Sequence, residues 1–325
     1  MKIVVFDDQR LGVLHEDRVI DLHRALAAVA AGTGSVDPER SAEERLGHDL
    51  AGFIGGGPAA LEAAEEAVEL ANRQPDQGQL VHPLDRVTLR APWPGRRIAC
   101  AGGNYADHLA GMQGGGSLEE LRRQVREQGQ WGFWKVPSRP LGPGGEVPYP
   151  RRTDYLDYEG EVAIVVGKEG KDIPAARFGE YVFGVTLLND VSIRDIGRPA
   201  GGGVNSYNLA KNFDGSTAIG PALVVGEGLD PGDIDVEVRV NDQVRQKYNS
   251  SGMIWTFAEI LEYLSRDFTF VPGDLISGGT GKGTAADQTP RPAEGQPRAK
   301  DLFLKRGDVV TVSSPKIGTL ANRVV

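Results

Sequence analysis

The chain has 325 residues, 40% of them hydrophobic and 25% charged, enough for one large domain or one domain with a smaller partner. A net charge of −9 argues against a nucleic-acid surface, and one cysteine, Cys100, excludes an internal disulfide and fits a reducing cytoplasm. The opening MKIVVFDDQR lacks the apolar core of a signal peptide and no apolar run reaches membrane-spanning length, while 44 Gly and 20 Pro predict many short strands and turns.

In chain order, residues 2–6, 13–14 and 18–22 alternate or run apolar around a turn at residues 7–10, which predicts a small antiparallel meander. Alanine-rich residues 22–31 and 58–72 predict helices, with a polar loop over 32–45 between them and a linker over 74–79. Residues 1–75 are thus expected to form a small α+β region without recognisable chemistry, ahead of a larger unit over 85–325. Residues 87–89 and 97–101 predict strands, and Cys100, inside the second, reads as a core thiol rather than a nucleophile. The run Gly102-Gly103-Asn104-Tyr105-Ala106-Asp107-His108 follows at once. A histidine just beyond a strand and a Gly-Gly turn is suited to act as a base on a mobile loop, or to serve a structural role there. Gly114–Gly116 can hinge, and Ser117 with Glu119 and Glu120 predicts a capped, charged helix to residue 128. The aromatic stretch WGFWKVP at 131–137 reads mainly as packing, with Lys135 facing the site.

Residues 158–167 read YEGEVAIVVG. The branched run 162–166 predicts a buried strand, and alternation puts Glu159 and Glu161 on one face. Two parallel carboxylates at the end of an apolar strand are costly unless a positive charge lies between them. Residues 182–195, VFGVTLLNDVSIRD, repeat the design, with Asp190 at the end of a second apolar run. Together the three acids make a hard, all-oxygen site suited to Mg²⁺, Mn²⁺ or Ca²⁺; taken singly, they read as a solvated strand edge and a turn. If the chain stays extended, Arg194 shares a face with Asp190, where a guanidinium can hold a substrate carboxylate through two parallel hydrogen bonds or simply pair with Asp190 or Asp195.

Lys211-Asn212-Phe213-Asp214 precedes a further apolar run at 219–225, and residues 235–241 and 243–248 predict a strand pair. Residues 254–265 predict an amphipathic helix. The loop Gly278-Gly279-Thr280-Gly281-Lys282-Gly283 does not fit a Walker phosphate loop, because its glycine spacing and the residue after Lys282 are wrong. Residues 284–300 read as a surface insertion and 302–310 as the closing strands.

Five motifs in fixed order over residues 95–325 resemble those of the fumarylacetoacetate hydrolase family: G-x-N-Y-x-x-H, YEGE-x-A-x-V-V-G, G-V-T-x-x-N-D-V-S-x-R-D, K-x-F-D and G-T-x-x-G. Composition and periodicity alone indicate only a turn-rich α/β or α+β protein. The resemblance implies a β-rich α+β fold, a mixed β-roll catalytic domain behind the small N-terminal region, assembled as a homodimer. It implies a divalent metal, Mg²⁺ with Mn²⁺ or Ca²⁺ as alternatives, on Glu159, Glu161 and Asp190. His108 and Lys211 are then catalytic, while Arg194, Lys211 and Thr280 hold a small carboxylate substrate. The implied activity is on a 2-oxo acid or 1,3-dicarbonyl acid through a metal-stabilised enolate, as a C–C bond hydrolase or lyase. Alternatives are an isomerase or dehydratase of the same family, or a weakly active metal- and ligand-binding member.

Two positions depart from the pattern. The family commonly has a Glu three residues after the histidine, where this chain has Gly111, and a Gln where it has Gly197, ahead of the Gly201–Gly203 run. His108 is therefore expected to lack its carboxylate partner unless Glu119 or Glu120 swings in. On that expectation, lyase or isomerase chemistry is favoured over hydrolysis.

Overall fold

The computed structural model describes residues 1–74, 79–195, 207–226, 228–289, 296 and 298–325. Gly197 and the Gly201–Gly203 run lie outside the described residues, as does most of the expected linker. The fold is β-rich with helices, as expected, and is dominated by one eleven-stranded mixed sheet. Its centre is strand Gly160–Val166, antiparallel to Val182–Asp190 on one side and to Leu275–Ser277 on the other. Every residue of that central strand is buried, because both faces of the sheet are covered. Val162, Ile164 and Val166 face a core shared with Val236, Val238, Val310 and Val312 of a second, five-stranded sheet. Ala163 and Val165 join the core that contains Leu26, Phe53, Ile54 and Ala64 from the N-terminal helices. Gly160 is required where the sheets meet, since a Cβ there would lie 2.3 Å from Val238 Cγ2.

The N-terminal meander forms as predicted and then continues the large sheet: Lys2 and Ile3 of strand Lys2–Phe6 pair with Val224 and Leu223 of strand Thr217–Val224. Helix Leu22–Gly32 starts at Asp21, whose carboxylate accepts the Arg24 N–H. Where a polar loop was expected there is a further helix, Pro38–Leu46, with Asp37 at its N-cap and Pro38 in its first turn. Its polarity reflects an exposed helix that buries only Ala42 and Leu46. Helix Leu50–Arg73 begins eight residues before the expected start, with a break in helical geometry at Gly57, just ahead of Pro58. The amphipathic helix near residue 257 is shorter than expected, Phe257–Leu264. A Thr256–Glu259 capping box starts it, leaving Ile254 to pack with Ala106 and Leu121. No helix among the described residues is long and apolar enough to cross a membrane.

Candidate active site and metal centre

The acid cluster grows directly from strand register. Glu161 lies opposite Leu188, and Asp190 ends the neighbouring strand with its N–H donated to the Glu159 carbonyl (2.8 Å). Glu159, Glu161, Asp190 and Lys211 are each at most 4% exposed, so the bland reading of a solvated strand edge fails. The Gly160 peptide between the two glutamates is clamped on both sides. Its N–H goes to Gln246 Oε1 (3.1 Å), and its carbonyl accepts from Tyr248 Oη (2.6 Å) and Thr280 Oγ1 (2.8 Å).

Cations thread the cluster. Lys211 Nζ bonds Glu159, Asp190 Oδ2 (2.7 Å) and Ser192 Oγ (2.7 Å). Lys135, entirely buried, donates to Asp190 Oδ1 (2.5 Å) and to the Lys211 carbonyl (2.6 Å). Arg194 donates from Nη2 to Glu159 and from Nε to Asp157 Oδ2 (2.9 Å). Among the described residues its ion pairs are therefore with Asp157 and Glu159, not with the Asp190 or Asp195 considered from sequence. Thr280 turns its hydroxyl to Gly160 and accepts from Gln246 Nε2 (2.8 Å), so that hydroxyl serves the strand end.

These contacts divide the two glutamates electrostatically. Burial alone would raise Glu159, but the charges of Arg194 and Lys211 outweigh it and hold the carboxylate below the usual range. Glu161 is pushed well above that range, first by burial and then by the charges of Asp190 and Glu159. Ser277 donates its hydroxyl to Glu161, yet among the described residues no Lys or Arg nitrogen forms an ion pair with it. A buried carboxyl crowded by two others and lacking a cation is a donor set that fits a hard divalent ion. Among the described residues the donor atoms of Cys100, Glu161 and Asp190 lie within 4.8 Å of one another, while Glu159, the third ligand expected from sequence, is outside that group and is tied to Asp190 through Lys211. Burial raises the Cys100 thiol well above its ordinary value, consistent with a core thiol.

The largest departure from expectation concerns His108. It lies on the short helix Ala106–Gln113, and its Nδ1 is 3.0 Å from Oδ2 and 2.9 Å from Oδ1 of Asp287, whose side chain is fully buried. The histidine thus has a carboxylate partner after all, supplied from 179 residues downstream rather than from its own helix. Gly111 explains the exchange: a Cβ there would lie 2.7 Å from Asp287 Cβ. Glu119 and Glu120 stay exposed on helix Leu118–Gln128, which Arg122 and Arg126 pin to Gly252, Ile254 and Glu259.

Asp287 was missed because residues 284–300 read as a surface insertion. Residues 284–287 are instead buried in side chain around helix Ala285–Gln288, and Thr284 and Asp287 form a capping box. The Thr-x-x-Asp spacing was the available signal. Asp157, also missed, lies on the strand Leu156–Asp157 immediately before the Glu pair.

The family model for the fumarylacetoacetate (FAA) hydrolase C-terminal region matches residues 97–325. The oxaloacetate tautomerase YisK of Bacillus subtilis is 30% identical over 317 residues, 96% of this chain and 94% of its own. The human mitochondrial oxaloacetate tautomerase FAHD2B is 32% identical over 268 residues, 82% of this chain and 78% of its own. Among solved structures, a fumarylacetoacetate hydrolase from Exiguobacterium antarcticum superposes with a TM-score of 0.71 at 29% identity, covering 100% of this chain and 99% of that one. The span matched by the family model is the span that carries every residue of the cluster from Cys100 to Asp287, and the chain belongs to the fumarylacetoacetate hydrolase family.

Proposed function

We propose that the chain is a divalent-metal-dependent enzyme that shifts a proton between carbon and oxygen of a small 2-oxo acid, a keto–enol tautomerase for an oxaloacetate-like diacid. The observation that carries this reading is the pairing of His108 with the buried Asp287 carboxylate, near enough to the acid cluster for its charge to act on Glu159. A carboxylate at Nδ1 holds the imidazole so that Nε2 is the accepting nitrogen. That nitrogen can take a proton from the carbon beside a carbonyl, and the imidazolium can return one to the enol oxygen. Glu159, Glu161 and Asp190 would hold the metal, which when bound polarises the substrate oxygens as a Lewis acid. Lys211 and Arg194 supply the positive charge that a substrate carboxylate needs, and Lys135 keeps Asp190 and the Lys211 backbone fixed while they do so. Two relatives named oxaloacetate tautomerase support proton transfer as the chemistry. The same proposal includes a homodimer, for which exposed Trp134 and Val136 at the sheet-edge strand Gly132–Lys135 offer apolar surface.

A second reading, C–C bond hydrolysis of an acylpyruvate-type substrate, is favoured by the same His108–Asp287 pair, which is equally able to take a proton from attacking water. The absence of an acid at Gly111 no longer counts against it. The deciding experiment gives the purified protein, with Mg²⁺ or Mn²⁺, the enol form of oxaloacetate and, separately, an acylpyruvate. Tautomerisation should be accelerated, abolished by chelation and by Glu161→Gln, and slowed roughly 10²–10⁴-fold by His108→Asn. Cleavage of the acylpyruvate without acceleration of oxaloacetate would move the assignment to hydrolysis, and inactivity on both would end the two readings together.

A further inference from the structure

Asp157 has no place in the chemistry above, yet it is completely buried and touches both halves of the site. Its Oδ1 accepts the N–H groups of Tyr158 (2.9 Å) and Ala285 (2.8 Å). Its Oδ2 accepts the Ala286 N–H (3.0 Å) and Arg194 Nε (2.9 Å). Ala285 and Ala286 open the helix whose third residue, Asp287, faces His108 Nδ1. Arg194, at its other end, holds Glu159. One carboxylate is therefore one hydrogen bond from the segment that carries the histidine's partner and one guanidinium from a glutamate of the acid cluster. Its own backbone is fixed independently, since Asp157 pairs with Ser192 across the two-stranded sheet of Leu156–Asp157 and Ser192–Ile193.

We propose that Asp157 is a positioning residue that sets the His108–Asp287 pair and the acid cluster in register with each other. The proposal rests on reading the acid cluster as a metal site and His108 as the proton-transfer group. A buried carboxylate with four donors is worth far more than a surface one, because each donor left unpaired on its removal also has to be desolvated. Removing its charge would release Arg194 Nε from the anchor that aims the guanidinium at Glu159 and loosen the first turn of the Asp287 helix at once. No other described side chain bonds both Arg194 and that helix.

The test uses two readouts that need no substrate: Mn²⁺ affinity by calorimetry, and the ¹⁵N shifts of the His108 ring, which report the nitrogen that carries the proton. In the wild-type protein the ring should hold its proton on Nδ1, facing Asp287. Asp157→Asn should weaken Mn²⁺ binding by about 10-fold, the lower end of what outer-shell partners of metal ligands contribute, and should also yield a mixture of ring tautomers. Asp287→Asn should change the ring alone and Glu159→Gln the metal affinity alone. If Asp157→Asn alters only one readout, or neither, the coupling role is wrong. If that variant does not fold by circular dichroism, Ala285→Pro takes its place. Proline is accepted at a first helical position after the extended Thr284 and deletes one N–H donated to Asp157. It should disturb the ring signature and leave Mn²⁺ affinity intact, and an undisturbed ring would overturn the proposal. A wild-type protein that takes up no Mn²⁺ would remove the metal reading itself, and the proposal with it, whatever the variants do.

Discussion

At the scale of single residues, Gly111 and Asp287 are two sides of one substitution. A side chain on the His108 helix and a carboxylate on helix Ala285–Gln288 compete for the same space, with only 2.7 Å between a Cβ built at 111 and Asp287 Cβ. Gly111→Glu, which would restore an acid to a histidine without one, should therefore be harmful here. Forcing a side chain into that contact should cost about 1–3 kcal/mol of stability and push Asp287 away from Nδ1. The double variant Gly111→Glu with Asp287→Gly should recover part of both losses, because one carboxylate then occupies the shared volume from the other side. Thermal unfolding and turnover measured on the two variants decide it. A single Gly111→Glu variant that is as stable as wild type and more active would show that Asp287 is not the working partner.

At the scale of elements, what could be read in advance was whatever repeats along the chain. The branched apolar run at 162–166 predicted the strand that spans Gly160–Val166, alternation predicted a shared face for Glu159 and Glu161, and alanine-rich spacing predicted the N-terminal helices. Contacts that close over long separations left no periodic mark: Lys135 to Asp190, Asp157 to Ala285, His108 to Asp287. Short helices were lost for a related reason. Pro38–Leu46 and Ala285–Gln288 are too polar or too short for an apolar stripe, and their caps, Asp37 and Thr284, went unread in the sequence. The second cap carries functional weight, because Thr284 Oγ1 accepts the Asp287 N–H while Asp287 Oδ2 accepts that of Thr284. Thr284→Ala should lower stability by about 0.5–2 kcal/mol and reduce turnover more than substrate affinity, since it loosens the histidine's partner without touching the cations. Urea unfolding alongside steady-state kinetics measures both, and an unchanged kcat would mean that Asp287 is held without its cap.

At the scale of the whole molecule, the question is whether residues 1–75, which carry no recognisable chemistry, matter to a site that lies wholly beyond them. Their contribution is to one face of the large sheet. Strand Lys2–Phe6 covers the edge of Thr217–Val224, which in turn borders the strand ending in Asp190. The N-terminal helices cover Ala163, Val165 and Leu188, side chains on the same strands that present Glu161 and Asp190, together with Ile219 and Leu223 of the neighbouring strand Thr217–Val224. Alternation puts Glu161, Ala163 and Val165 on one face of their strand, so the acids and the apolar residues under the helices share a surface. A chain truncated to residues 85–325 should therefore expose an unpaired strand edge and a broad apolar face next to the site, which is the configuration that leads to aggregation. It is expected to be insoluble or to unfold well below the temperature of the full chain, and to bind Mn²⁺ weakly if it is recovered at all. Expression of the truncated chain with light scattering and calorimetry is the measurement. A monodisperse, folded product with undiminished Mn²⁺ affinity would show that the catalytic sheet closes its own core and that the N-terminal region serves some other end.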